Sequence, residues 1–99
     1  MATINKMVLT RNDFETNAPN SFRNLWKDGH FTDVTLATKD DQQIRVHKVI
    51  LSSCSPFFRN ILLKNPHQNP LLYLKDIKYR ELELLVEFIY LGHYYSVPD

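Results

Sequence analysis

Between Phe31 and Cys54 the spacing of apolar residues switches from a period of two to a helical period, which demands a strand pair that feeds directly into a helix. Phe31 to Thr38 alternates, with Val34 and Leu36 on one face and Asp33, Thr35 and Ala37 on the other. Ile44 and Val46 repeat the pattern after Lys39-Asp40-Asp41-Gln42, a polar connection of hairpin length. Val49, Ile50 and Cys54 then recur at helical spacing. Ser55-Pro56 offers an N-cap followed by proline at the first helical position, so a second short helix is predicted there, with Phe57, Phe58, Ile61 and Leu62 as its apolar residues. Lys64 to Pro70 reads as a polar surface loop, and Leu71 to Lys75 as a third strand.

Asp76 is placed to cap a helix from about Lys78 to Leu91, closed by Gly92. Leu82, Leu85, Val86 and Ile89 form its apolar stripe, while Leu84, Phe88 and Leu91 widen the arc and leave Glu83, Glu87 and Tyr90 on the remainder. So wide an arc predicts a helix buried centrally, with subunit contact as the other explanation. Nearer the N-terminus, Phe22, Leu25 and Trp26 share a helical face that Gly29 ends, and Pro19 in the first turn puts the start near Asn17. The apolar run Met7-Val8-Leu9 must either pair with something or fray.

The chain has 99 residues, enough for one domain with a small core and little stability to spare. Its formal net charge is +1, with acids and bases interleaved, so no basic face for nucleic acid is expected. Cys54 is the single cysteine, which excludes an internal disulfide and favours a reducing nuclear or cytoplasmic compartment. Asn5, Lys6, Thr10 and Arg11 interrupt any signal-peptide core, and the apolar stretch Leu84 to Leu91 contains Glu87 and is far too short to span a bilayer. A soluble protein without a membrane partner is expected.

Catalytic chemistry finds little support. The two glycines sit at helix ends, so no phosphate-cradling loop can be built. His30, His47, His67 and His93 are dispersed, without the spacing that sets two imidazoles on one helix face, and no metal site is expected. Cys54 and His47 would share a helix face, but two turns separate them by about 10 Å, beyond the reach needed to activate a thiol. Cys54 therefore reads as a small buried hydrophobe, and His47 as a histidine that satisfies nearby backbone groups. Asp40 and Asp41 read as a solvated turn. Asp33 interrupts an apolar strand, where it is either exposed at the edge or paired, Lys48 being the nearest cation across the hairpin. No catalytic residues, cofactor or small-molecule substrate are expected.

Phe31-Thr32-Asp33-Val34-Thr35-Leu36, followed by Val46-His47-Lys48-Val49-Ile50-Leu51-Ser52-Ser53-Cys54-Ser55-Pro56-Phe57-Phe58, resembles the BTB/POZ domain. Asn65-Pro66, the stretch Pro70 to Asp76 and the helix end Glu87 to Gly92 resemble its tramtrack-type subgroup, found in arthropod transcription and chromatin regulators. Leu9 to Phe14 is similar to that subgroup's opening motif, although Thr10 and Arg11 stand where a basic residue and a tryptophan are expected. The resemblance covers residues 7 to 97 of a single domain, 1 to 99. It stops short of the final helical pair that the family normally carries.

The resemblance implies an α/β fold, a small three-stranded sheet packed by helical hairpins. It further implies a nuclear, non-enzymatic module for protein interaction and oligomerisation. Its partners would be a second copy, other BTB domains and co-regulator proteins, without direct nucleic-acid binding. The homodimer would form through an exchanged N-terminal strand, here Met7, Val8 and Leu9, and the first helix, here Phe22, Leu25 and Trp26. A charged pocket near that interface would match Asp33 and Lys48. Adaptor domains of cullin-type ubiquitin ligases are the alternative, but they carry an acid just after the helix that ends near Leu63, and Ile61 to Asn69 contains none.

Overall fold

The computed structural model describes residues 11–91. Strand β1 (Val34–Thr38) pairs antiparallel with β2 (Gln43–Val46), in a register that sets Val34 opposite Val46 and Leu36 opposite Ile44. All four side chains are buried, as the alternation predicts. The connecting turn is held by Thr38, whose hydroxyl donates to Asp40 Oδ1 at 2.6 Å and accepts from the Gln42 amide at 3.2 Å, while Asp41 takes a positive φ of 60°.

Strand β3 (Leu71–Leu74) joins the other side of β1 in parallel, giving the order β2-β1-β3. A parallel neighbour requires a crossover, and helices α1 (Lys48–Cys54) and α2 (Pro56–Lys64) supply it. The Ser55 side chain accepts from the Phe58 amide at 3.3 Å, so the predicted cap and N1 proline stand as read. Leu51 and Phe58 project from these helices onto the sheet's buried face.

Helix α3 (Tyr79–Leu91) closes the core with Leu82, Val86 and Ile89. Burying each such side chain contributes about 1.5–3 kcal/mol. Two expectations for this helix are corrected. Asp76 does not cap it: the Tyr79 amide donates to Asp40 Oδ1 at 2.9 Å and the Lys78 amide to Glu81 Oε1 at 3.0 Å, so its first turn is held from the hairpin. Nor is it buried all round, because Leu84 and Phe88 remain 56% and 44% exposed. Only one stripe faces the sheet, and Tyr90, assigned to the polar remainder, lies inside it. Gly92, its expected terminator, lies outside the described residues.

The N-terminal helix α0, named for its place ahead of the crossover, spans Arg11–Asp28 and begins earlier than the expected Asn17, with Pro19 in its interior. Proline removes one backbone donor, but its φ suits a helix, so the helix continues through it. It ends on Gly29 at φ +72°, with the Gly29 amide bonded to Trp26 O at 3.0 Å and the His30 amide to Leu25 O at 2.9 Å. These two reversed bonds make a Schellman ending, for which a left-handed glycine is the favoured residue. Arg23 and Lys27 reach Glu87 and join this helix to α3. No helix among the described residues is long and apolar enough to cross a membrane.

Candidate functional site

His47 stands where β2 turns into α1, with extended backbone and a buried ring. Its Nε2 is 2.7 Å from the His30 carbonyl, which can only accept, so Nε2 carries the proton. Nδ1 then accepts from the Tyr90 hydroxyl at 2.6 Å, and the Tyr90 oxygen accepts from the His47 amide at 2.9 Å. Every polar group of this contact is satisfied by one tautomer. Burial pushes the Tyr90 hydroxyl pKa up to about 12, opposed by the His47 amide bond and aided by the charge of Asp33. Trp26 stacks on Tyr90 with ring centroids 5.0 Å apart. The reading of His47 as a structural histidine agrees with this geometry, since its ring links the end of α0 to α3.

Next to this junction, Asp33 Oδ1 accepts from the Lys48 amide at 2.7 Å. The sequence pairing is thus present in space, but through the main chain: the Lys48 ammonium turns away and donates to the His67 carbonyl at 3.2 Å. Asp33 takes the capping position that the His47 side chain leaves vacant at the start of α1. Phe31 precedes it at φ +62° and is 83% exposed, while Val49, following Lys48, is 72% exposed. A non-glycine residue in the left-handed region carries backbone strain. Phe31 and Val49, both strongly exposed, therefore lie within two residues of the Asp33–Lys48 contact along the chain, Phe31 on a strained backbone.

The first-helix residues separate. Trp26 belongs to the core, Leu25 is half-buried, and Phe22 faces outward at 38% exposure. Met7, Val8 and Leu9 lie outside the described residues. Two other readings are corrected. Cys54 is exposed rather than buried: Leu51 fills the core position of this short helix, and the Cys54 thiol reaches the Ile89 carbonyl of α3 at 3.8 Å. Asp40 is more than a solvated turn, since its carboxylate holds both Thr38 and the first turn of α3, and the Thr38 bond lowers its pKa. Sequence spacing carried no signal for this contact with Tyr79, which lies far along the chain. Tyr90 could have been recognised from its place one residue after Ile89 on a helix with an unusually broad apolar arc.

Among the described residues no group of three or more histidine, cysteine or acidic side chains converges on a metal position. Exposed apolar side chains, Phe31 and Val49 among them, accompany buried polar side chains that all have hydrogen-bond partners among the described residues.

Known proteins are similar to this chain. The BTB/POZ domain family model matches residues 22–97. The chain is 44% identical over 92 residues to longitudinals lacking protein-like of Drosophila melanogaster, a match covering 93% of this chain and 72% of that protein. It is 43% identical over 85 residues to protein abrupt and 36% identical over 87 residues to the tramtrack alpha isoform, both of the same fly. Those matches cover 86% and 88% of this chain but only 9% and 11% of the two proteins. Among solved structures, the BTB domain of zebrafish PATZ1 superposes with a TM-score of 0.68 at 20% identity, covering 86% of this chain and 69% of that one. This last likeness concerns the fold.

Proposed function

The chain belongs to the BTB/POZ domain family, and on that premise we propose that it is a self-associating protein-interaction module of a nuclear transcription or chromatin regulator. The observation that carries this reading is the exposure of Phe31 and Val49, which neighbour Asp33 and Lys48 along the chain, together with that of Phe22 on α0. Isolated apolar residues on a surface are ordinary, but Phe31 combines near-complete exposure with a strained backbone. Covering such side chains with a second copy stabilises a small domain by mass action. Met7, Val8 and Leu9 would extend the contact as an exchanged strand, and Leu25 and Trp26 would support Phe22 from behind. Other BTB domains and co-regulator proteins are further partners of the same kind.

The function is one of assembly rather than catalysis or direct nucleic-acid binding. Native mass spectrometry of an equimolar mixture of isotopically light and heavy chains tests it. A complex of intermediate mass, containing one chain of each kind, is expected. Single-chain masses alone, at 11.7 kDa for the light form, would overturn the reading.

A further inference from the structure

We infer that the contact between His47 and Tyr90 is a proton-sensitive latch: uptake of one proton by the His47 ring releases the C-terminal end of α3 from the junction between β2 and α1. In the contact as it stands, Nε2–H donates to the His30 carbonyl, the Tyr90 hydroxyl donates to Nδ1, and the same hydroxyl accepts from the His47 amide. A neutral imidazole offers one acceptor, and a protonated one offers none. A proton on Nδ1 therefore turns the acceptor of the 2.6 Å contact into a second donor aimed at the Tyr90 oxygen. That oxygen then receives two donors from His47, and its own O–H must leave the place it held.

No replacement acceptor is at hand. Tyr90 and His47 are 4% and 7% exposed, and His47 supplies every hydrogen bond that the Tyr90 hydroxyl makes among the described residues. A buried hydroxyl without an acceptor is costly, so the protonated junction gains by letting Tyr90 swing toward water. The bond from Nε2–H to the His30 carbonyl survives, because a protonated ring still donates there. It is therefore the α3 side of the junction that yields and the α0 side that holds.

The charged groups around the ring leave room for the proton. Asp33, just ahead of β1, sets its Oδ1 on the Lys48 amide, and after burial its charge is what raises the Tyr90 pKa, so its carboxylate lies within electrostatic reach of the contact. A carboxylate so placed attracts an imidazolium for the same reason that it resists a tyrosinate. The cations nearby are engaged elsewhere: the Lys48 ammonium of α1 donates to the His67 carbonyl, and Arg23 and Lys27 of α0 hold Glu87 of α3. His30 keeps an exposed ring beside Phe31, and the Cys54 thiol at the end of α1 lies at the Ile89 carbonyl. The latch does not rest on self-association, since every group in it belongs to one chain.

Trp26 reports on the latch, because it is the single tryptophan of the chain and its ring is stacked on Tyr90. Its fluorescence in the full chain is followed from about pH 8 to about pH 5, the range in which histidine changes charge. A reversible one-proton step in Trp26 emission is expected, retained in His30→Gln and His67→Gln and lost in His47→Gln. Where His47→Gln fails to fold, NMR of the unaltered chain decides: the His47 ring protons and the amides of Tyr90 and Leu91 are expected to titrate with one midpoint. Emission that stays flat across the range, a step that survives His47→Gln, or Tyr90 and Leu91 amides that ignore the His47 titration would overturn the proposal.

Discussion

The Tyr90 hydroxyl lies 2.6 Å from His47 Nδ1 and 2.9 Å from the His47 amide, so a single oxygen on α3 satisfies two buried groups at the junction between sheet and helix. Tyr90→Phe removes that oxygen while preserving the ring stacked on Trp26. Leaving a buried group without a partner costs about 1–3 kcal/mol, so a loss of about 2–4 kcal/mol is expected in urea unfolding. A change below about 0.5 kcal/mol would show that the contact contributes little.

Alkaline pH tests the same contact from another direction. The Tyr90 pKa is raised from 10.0 to about 12 in the folded chain, chiefly by burial. Because the neutral phenol is the form that the fold favours, its contribution is complete below the unfolded value. It is then lost as pH rises from 10 toward 12. Thermal unfolding followed across that window should show a decline that Tyr90→Phe lacks, apart from the shared titration of other groups.

The local features of the fold were legible because they depend on neighbours in sequence. The hairpin follows from the alternation of Val34, Leu36, Ile44 and Val46, and the start of α2 from Ser55-Pro56. Gly29 closes α0 as its position suggested. The misread features depend on distant partners. Asp40 was assigned to solvent because nothing near it in sequence needs a carboxylate, yet the first turn of α3 is brought to it by the crossover and β3. Tyr90 was assigned outward because a helical wheel shows the width of an apolar arc but not which part meets the sheet. Charge was misjudged within the sequence itself, because the overall balance hides a stretch from Gln42 to Lys75 that contains no aspartate or glutamate. For the candidate site, the proximity of Asp33 and Lys48 was legible, but not the choice of the lysine's amide over its ammonium.

Asp40 yields a prediction for the start of α3. Asp40→Ala removes the acceptor from the Tyr79 amide, which should then exchange its hydrogen markedly faster, while amides near Val86 in the middle of the helix should change less. The Asp40 pKa is lowered, first by the Thr38 hydroxyl bond, so its contribution is present above the ordinary value of 3.8 and is lost as pH falls below it. Unaltered exchange at Tyr79 would contradict the capping role.

Asp33 and Lys48 are expected to act separately in their side chains. Asp33→Ala removes a carboxylate from the first amide of α1 and should destabilise the chain by about 1 kcal/mol. Lys48→Gln leaves that amide in place and should change stability by no more than about 0.5 kcal/mol. In chemical unfolding of the two single variants and the double variant, the effects should add within about 0.3–0.5 kcal/mol. A coupling above 1 kcal/mol would mean that the ammonium and carboxylate interact directly, as a charged pocket at a subunit interface requires.

Self-association as proposed above places Phe22, Phe31 and Val49 under a second copy, and light scattering coupled to size exclusion tests it most directly. Phe31→Asp and Val49→Asp place charge on exposed positions, where the isolated fold should tolerate it. The unaltered chain is predicted to elute at twice the 11.7 kDa chain mass or more at micromolar concentration, and the double variant near the single-chain mass with unchanged circular dichroism. A folded, unaltered chain that remains at 11.7 kDa at every concentration, or an assembly whose mass is indifferent to both substitutions, would contradict the account.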